Sequence, residues 1–317
     1  MQAIVEHERS IEASKSIPLL PGQKLREGNY ARTKRPYTLQ RLTEHAYWVE
    51  SQIYQSTFFI GEKGVLVIDP LSYGRGQNVQ KAIREVTSLP VTAIVYSHYH
   101  YDHIGDANAF VEAARDSGVQ LRIIASSACL REIHKYKDKV PLPTEVIGTP
   151  RGTFDFERVR IEMGTPEQGH STDNSWILIE KEGVLHNVDM IHPGQLEFDN
   201  FGVGHYIEGY EEALKELLTL PWKIMTAGHG NIGAKEDIQF VLDYIADLRV
   251  HTEAVMPTVK IAPFIKDEMM YNWFHGHRDA VASQVVERMR ERWGSYPGFD
   301  IVAITHARTM YWEYYLH

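Results

Sequence analysis

The sequence predicts an α/β fold in which helices lie outside β-sheets. Short apolar runs and amphipathic helical patterns alternate along the chain in the order β-α-β-α, which is typical of sheets covered by helices. The chain has 317 residues and is 43% hydrophobic, which is enough to form a large core. Because α/β folds often use ~200–250 residues as one unit, this length does not require two separate domains.

The first half of the predicted fold begins with a β-meander and continues with alternating helices and strands. Its most apolar strand ends at Asp69-Pro70, where a turn is expected. Residues 77–88 carry apolar side chains at helical spacing, and Asp106 is predicted to cap a further helix. The predicted strands of this half are residues 46–49, 56–60, 65–68, 91–96 and 121–125.

The second half repeats this alternation and ends in a tail rich in aromatic residues. The tail segment 310–315 is predicted to be a strand because aromatic residues are enriched in strands. The other predicted strands are residues 159–163, 176–180, 183–188 and 223–226, and the predicted helices are residues 208–220, 235–255 and 279–292.

Three regions are predicted along the chain, and no linker long enough to separate a second domain is visible. Residues 1–36 are polar, irregular and rich in proline and glycine, so we interpret them as an N-terminal arm. Residues 37–256 form the main domain. Residues 257–317 are predicted to be a helical C-terminal extension packed on the same domain.

Composition excludes several classes of protein. The net charge of −9 disfavours nucleic acid as a partner, because an acidic surface repels phosphate groups. No apolar run approaches the ~20 residues of a membrane span, and residues 1–16 lack the apolar core of a secretory signal, which predicts a cytoplasmic protein. Cys129 is the only cysteine, which excludes an internal disulfide and a thiolate-rich zinc cluster.

The strongest chemical signal is a run of metal-ligand residues directly after a predicted buried strand. His98 and His100 point the same way in an extended chain, so both can reach one ion, while Asp102 and His103 can reach a neighbouring ion. Imidazole and carboxylate groups suit Zn²⁺, and also Mn²⁺ or Fe²⁺. The alternative is a polar loop with ordinary surface histidines, but packing gives no reason to cluster histidines at a strand end.

Further landmarks follow in order, and together they resemble the metallo-β-lactamase superfamily. The motif His98-x-His100-x-Asp102-His103 matches the H-x-H-x-D-H signature of this family at every fixed position. The resemblance covers about residues 37–255. The other matching segments are Val67-Ile68-Asp69-Pro70, Gly169-His170-Ser171, Val188-Asp189 and Gly228-His229-Gly230.

The resemblance implies a four-layer αββα sandwich with a two-metal site at one edge, between two β-sheets. It implies that Asp189 bridges the two metals and that Asp69 orients a ligand from behind. The remaining ligands would divide into His98, His100 and His170 for the first metal, and Asp102, His103 and His229 for the second. Two such ions share a water and lower the pKa of that water towards ~7. Asp102 can hold the proton of this water and pass it to the leaving group.

Residue identities at the motif narrow the reaction class. His100 stands where the diiron flavoproteins and oxygenases of this fold usually have a carboxylate, which favours a hydrolytic zinc site. Asp189 stands where the true β-lactamases usually have Cys or Ser, which favours relatives such as thioesterases, lactonases and phosphodiesterases. We therefore expect a zinc hydrolase of a small ester, lactone, thioester or amide. The alternatives are a hydrolytic dehalogenase like that of chlorothalonil, a β-lactamase, a diiron oxygenase and a binding scaffold without activity.

Sequence says less about the substrate pocket. Tyr99 and Tyr101 occupy the variable positions of the motif, so they line the cleft or pack beneath it. His192 and His205 lie on a loop that the resemblance places near the metals, as substrate-binding residues or as parts of a solvated loop. The aromatic tail is interpreted as core or as the interface of a homo-oligomer.

Overall fold

The computed structural model describes residues 9–137, 139–202 and 206–316, without the side chain of Leu316. The chain divides into two compact units. Unit 1 comprises Met1–Pro193 and Thr219–Glu236, and unit 2 comprises Gly194–Leu218 and Asp237–His317. Where the chain is described, none of the helices is both long enough and apolar enough to cross a membrane.

Unit 1 contains a seven-stranded mixed sheet whose strands follow the order of the chain. Its first four strands pair antiparallel and its last four pair parallel. The strands are β3 (Thr38–Arg41), β4 (Ala46–Ser51), β5 (Tyr54–Ile60), β6 (Val65–Ile68), β7 (Val91–Val95), β8 (Arg122–Ser126) and β9 (Glu145–Ile147). Two short parallel strands, β1 (Ser10–Ile11) and β2 (Lys24–Leu25), form a small sheet in the N-terminal segment.

A second sheet of unit 1 has five strands. They pair antiparallel except for the last pair, which is parallel. The strands are β10 (Arg151–Phe156), β11 (Val159–Gly164), β12 (Trp176–Ile179), β13 (Val184–Asn187) and β14 (Ile224–Thr226). Side chains of both sheets form one buried apolar cluster, which includes Leu66 and Val95 from the larger sheet and Ile161 and Ile177 from the smaller one. The two sheets therefore face each other across this core.

The other face of the seven-stranded sheet is covered by helices. Val79, Phe110 and Ile133 lie on three of these helices and share a buried cluster with side chains of the sheet. The helices of unit 1 are α1 (Asn29–Arg32), α2 (Gly76–Val86), α3 (Tyr101–Ile104), α4 (Ala107–Asp116) and α5 (Ser127–Tyr136). Helices packed outside facing sheets confirm the predicted α/β class.

Unit 2 is helical. Its helices are α6 (Ile207–Thr219), α7 (Lys235–Val255), α8 (Met270–Trp293) and α9 (Phe299–Leu316). His277 and His306 are buried within this unit, where His277 Nδ1 lies 2.9 Å from the Tyr311 hydroxyl and His306 Nδ1 lies 3.1 Å from the Tyr244 hydroxyl. Each of these histidines therefore has a polar partner within unit 2.

The prediction of a strand at residues 310–315 is wrong, because these residues belong to α9. Buried residues recur every three or four positions along this helix, as in Val302, His306 and Met310. That spacing puts one face of a helix into a core and outweighs the strand preference of a six-residue aromatic window. Helix α8 also begins nine residues before the predicted start at residue 279.

The predicted cap of α4 does not form at Asp106. Its side chain makes no cap hydrogen bond to α4, and its carboxylate instead accepts a hydrogen bond of 2.8 Å from the backbone nitrogen of Gly76. Asp106 therefore stabilises the first turn of the neighbouring helix α2. Strands β3, β9 and β10 were not predicted, because each carries charged side chains that interrupt the apolar pattern.

Candidate metal centre

The candidate site lies where four strands of unit 1 end. β6 and β7 are parallel neighbours in the larger sheet, and β13 and β14 are parallel neighbours in the smaller one. Because parallel strands run in the same direction, the residues that follow two parallel neighbours lie at the same edge of the sheet. Asp69 follows β6, the histidine motif follows β7, Asp189 follows β13 and His229 follows β14.

The first group of candidate ligands contains three histidines and one carboxylate. The ligand atoms of His98, His100, His170 and Asp189 all lie within 4.8 Å of one another. His170 Nε2 lies 2.9 Å from His100 Nδ1, and His98 Nε2 lies 3.7 Å from Asp189 Oδ2. This spacing is suitable for one cation between the four groups.

The second group shares Asp189 with the first. The ligand atoms of Asp102, His103, Asp189 and His229 also lie within 4.8 Å of one another. His103 Nε2 lies 3.0 Å from Asp189 Oδ2, while His229 Nε2 lies 3.5 Å from the other oxygen, Oδ1. The structure thus brings all seven residues that the sequence indicated to one place, with the Asp189 carboxylate in common.

The chemistry of the donors fits divalent cations. His98 Nε2 and Asp189 Oδ1 are buried and make no hydrogen bond among the described residues. A buried polar atom without a partner costs free energy, and a bound cation satisfies such an atom. Imidazole nitrogens and carboxylate oxygens are ligands that zinc, manganese and iron accept.

Burial and mutual charge determine the protonation of these groups. Burial lowers the pKa of His98 and His100, and it lowers the pKa of His229 to about 4. These three rings are therefore neutral near pH 7, as a metal ligand must be. Burial disfavours the charged forms of His103 and Asp189, but the attraction between their opposite charges is stronger. The pKa of His103 therefore lies well above its usual value, and the pKa of Asp189 lies well below its usual value.

Asp69 orients the first ligand through a serine. Its carboxylate accepts hydrogen bonds from the Ser97 backbone nitrogen at 2.8 Å and from the Ser97 hydroxyl at 2.7 Å. Since the serine proton points to Asp69, its oxygen accepts from His98 Nδ1, which lies 2.9 Å away. The lone pair of His98 is then on Nε2, which faces Asp189.

The last ligand loop, Gly228-His229-Gly230, is held at each of its three residues. The Gln55 backbone nitrogen donates to the Gly228 carbonyl at 3.0 Å. His229 Nδ1 donates to the Ile53 carbonyl at 2.7 Å, which leaves Nε2 for a metal. The Gly230 carbonyl accepts from Gln55 Nε2 at 2.6 Å and from Arg32 Nη2 at 2.7 Å.

Sequence reasoning missed the residues that support the ligands. Arg32, in the predicted arm, is buried and forms a paired contact with Glu50, at 2.5 Å through Nε and 3.0 Å through Nη2. His186, inside β13, is fully buried and its Nε2 lies 3.4 Å from Asp69 Oδ2. A polar residue within an apolar strand was the available signal for His186. The arm contained no comparable signal for Arg32, because Glu50 and Gly230, which it contacts, are far from it in the sequence.

The candidate substrate residues differ in their surroundings. Tyr99 is half-buried and stacks on Tyr136, with ring centroids 4.9 Å apart. Tyr101 is exposed at the edge of the site. His192 is buried, with its ring 5.5 Å from that of His229. His205 lies outside the described residues.

We expect Gly228→Ala to weaken metal binding. A β-carbon at this position would lie 2.1 Å from Asp189 Oδ1 and 2.8 Å from His103 Cε1, so the shared carboxylate must move. Disturbing the support of a ligand typically costs ~10–100-fold in metal affinity. Competition with a chelator measures this loss, and Gly28→Ala is the control because a β-carbon there meets nothing within 4 Å. Equal affinity in both variants would contradict the prediction.

We expect Arg32→Met to destabilise unit 1 and to loosen the His229 loop. The change leaves the Glu50 carboxylate buried without its partner, which costs ~3–5 kcal/mol of unfolding free energy. Arg35→Met is the matched control, because the ion pair of Arg35 with Glu27 is partly exposed and such pairs contribute ~0–1 kcal/mol. Urea unfolding gives both values, and similar losses in the two variants would refute the role of Arg32.

The chain resembles known proteins in its family, in its sequence and in its fold. The family model described as the metallo-beta-lactamase superfamily matches residues 52–229, just over half of the chain. This range includes the histidine motif, Asp189 and the last ligand, His229.

Individual relatives are distant. A metal-dependent hydrolase of Pyrococcus horikoshii is 29% identical over 192 residues, covering 54% of this chain and 79% of the relative. The beta subunit of a 2,4-dinitroanisole O-demethylase from Nocardioides sp. (strain JS1661) is 22% identical, covering 75% of each chain. For two other curated relatives, the chain spans 14% and 57% of their length.

Solved structures agree on the fold. A sec-alkyl sulfatase structure superposes with a TM-score of 0.62 and 14% identity, covering 87% of this chain and 50% of the sulfatase. At this identity the similarity concerns the fold alone. The family match, with the ligand residues inside it, shows that the chain belongs to the metallo-β-lactamase superfamily.

Proposed function

We propose that the chain is a dinuclear zinc hydrolase that cleaves a small ester, lactone, thioester or amide. The observation that carries this proposal is the pair of ligand groups that meet at the Asp189 carboxylate. His98, His100 and His170 would hold one ion, Asp102, His103 and His229 the other, and Asp189 both. Bound ions would supply Lewis acidity and lower the pKa of a water between them towards ~7.

Asp102 is the residue best placed to move a proton. Its side chain is partly exposed, and its Oδ2 lies 3.3 Å from His103 Nε2 and 3.8 Å from His229 Nε2. Burial opposes its charge, but the hydrogen bond and charge of His103 outweigh burial and lower its pKa, so it is ionised near pH 7. Asp102 can therefore accept a proton from the attacking water and return it to the leaving group.

The bond changes of the proposed reaction balance without an oxidant or a reductant. The water oxygen bonds to the acyl carbon while the bond from that carbon to the leaving oxygen, sulfur or nitrogen breaks. The electron pair of the broken bond goes to the leaving atom, and the proton that Asp102 held completes it. A small-molecule substrate agrees with this chemistry. A cytoplasmic location, the absence of nucleic-acid and membrane partners, and a homo-oligomeric state remain proposals from sequence.

A second candidate is hydrolytic attack on an activated aromatic, with displacement of a ring substituent such as chloride. The observation that favours it is the match to a relative named for 2,4-dinitroanisole. Release of chloride from haloaromatics would distinguish it from acyl hydrolysis. A sulfate ester belongs in the same panel, because the fold is shared with a sec-alkyl sulfatase.

We expect purified protein to contain about two metal ions per chain, mostly zinc. Elemental analysis measures the ratio, and His100→Ala should lower it because His100 belongs to the first ligand group. His134→Ala is the control, since this histidine is exposed and outside both groups. At most one ion per chain after metal supplementation would contradict the two-metal proposal.

We expect Asp102→Asn to lower kcat by ~10²–10⁴ while KM changes less. The amide keeps the shape of the side chain but cannot accept a proton, and general acid–base assistance has this magnitude. Metal content must be measured in the same sample, because loss of metal would abolish activity for a different reason. A variant that retains both metals and a normal kcat would show that Asp102 does not move the proton.

A further inference from the structure

A partly exposed group of aromatic and cationic side chains lies beside the second ligand group, and we call it the tyrosine rim. It consists of Tyr54, Tyr73, Arg75 and Tyr101. The Tyr54 ring connects the rim to the candidate ligands, with its centroid 5.2 Å from the His229 ring and 6.4 Å from the His103 ring. The rim is therefore continuous with the site described above.

Arg75 lies between two of the tyrosines. Its guanidinium carbon is 4.4 Å from the centroid of Tyr54 and 5.4 Å from that of Tyr73. The Gln52 side-chain oxygen accepts hydrogen bonds from Nε and Nη2, and the Ser72 carbonyl accepts from Nη1 at 3.2 Å. These contacts hold the positively charged guanidinium of Arg75 in a defined orientation. The ring of Tyr54 lies between this group and His229.

Tyr73 and Tyr101 form the outer part of the rim. Their rings meet edge to face with centroids 5.4 Å apart. They are 68% and 45% exposed, respectively. Adjacent exposed aromatic rings beside a catalytic site are typical of surfaces that bind a ligand. Tyr101 also directly precedes Asp102, the proposed proton carrier.

The backbone beneath the rim is strained. Asp69, Leu71 and Tyr73 all have positive φ angles, of 61°, 64° and 54°, although none is glycine. Such conformations are unfavourable and persist where the surrounding structure holds them, often at ligand clamps. Here the Leu71 backbone bonds to the His103 carbonyl at 2.7 Å and to the Asp106 nitrogen at 2.8 Å. The strained loop keeps Tyr73 exposed next to Tyr101.

We propose that the tyrosine rim is a subsite for the part of the substrate that carries an aromatic ring with a negatively charged substituent. This inference rests on the proposed hydrolase function, whose substrate class it narrows. The rings of Tyr73 and Tyr101 contact the aromatic ring, because aromatic pairs attract beyond their apolar area. Arg75 pairs with the anionic substituent of that ring.

The test compares two carboxylates that differ only in the ring. Benzoate and cyclohexanecarboxylate carry the same charged group, so any contact with metal is equal and the difference reports the ring. Calorimetry on the metal-loaded protein should show that benzoate binds about fivefold more tightly, as expected for aromatic contacts worth ~0.5–1.5 kcal/mol. Tyr73→Ala and Tyr101→Ala should remove this preference. Arg75→Gln should weaken the binding of both carboxylates, and Arg75→Lys should restore part of it.

Tyr30→Ala is the matched control. Tyr30 is 79% exposed and has a lysine over its ring, with Lys34 Nζ 5.1 Å from the centroid, but it has no described contact with the ligands. The preference for benzoate should persist in this variant. Equal affinity for the two carboxylates in the unmodified protein, or a preference that Tyr73→Ala and Tyr101→Ala leave unchanged, would overturn the proposal.

Turnover separates the failure of the subsite from the failure of the proposed function. We expect 4-acetoxybenzoate to be hydrolysed faster than phenyl acetate, and Arg75→Gln to reduce this ratio. A protein that binds benzoate preferentially but hydrolyses no ester, lactone, thioester or amide retains the subsite and contradicts the proposed reaction. A protein that hydrolyses both acetates with the same kcat/KM contradicts the role of Arg75 in the subsite.

Discussion

The Asp189 carboxylate lies where both ligand groups meet, in a region from which water is largely excluded. A buried negative charge is stable only when positive charge compensates it, and here His103 does so at 3.0 Å. Binding of divalent cations would take over this role and would release the His103 proton, as metal binding to protonated ligands does. The ligand atoms of the other six residues all lie within 4.8 Å of an Asp189 oxygen, so their arrangement depends on this charge.

Several layers of contact keep the ligands in place around Asp189. Asp69 acts on His98 through Ser97, while the carbonyl of Ile53 sets the ring of His229. These contacts determine which nitrogen carries the lone pair, so each imidazole is oriented without the metal. The positive φ angles of Asp69 and Asp189, 61° and 58°, show that the backbone accepts strain at the ends of β6 and β13 to present these carboxylates.

The N-terminal segment is part of the site's support. Arg32 joins Glu50 of the larger sheet to the Gly230 carbonyl next to the last ligand. Both charged groups of the Arg32–Glu50 pair are buried, and the cost of removing them from water offsets most of their attraction. The pair therefore contributes more to the placement of the loop than to net stability. The tyrosine rim sits on the same scaffold, where a strained loop bonded to His103 carries Tyr73 beside Tyr101.

The sequence by itself determined the α/β class and the central apolar strands through continuous apolar runs, and the first four candidate ligands through a local cluster of histidines. The other candidate ligands, His170, Asp189 and His229, followed from the resemblance to a known family. The sequence placed β6 at residues 65–68 and α7 at residues 235–255, as the structure has them. Only tertiary structure decided what the ligands touch and how they are held. Glu50 and Gly230, which Arg32 contacts, lie 18 and 198 residues away from it, and His186 meets Asp69 across the two sheets. The aromatic tail became a helix because packing within unit 2 selects one helical face, which a six-residue window does not reveal.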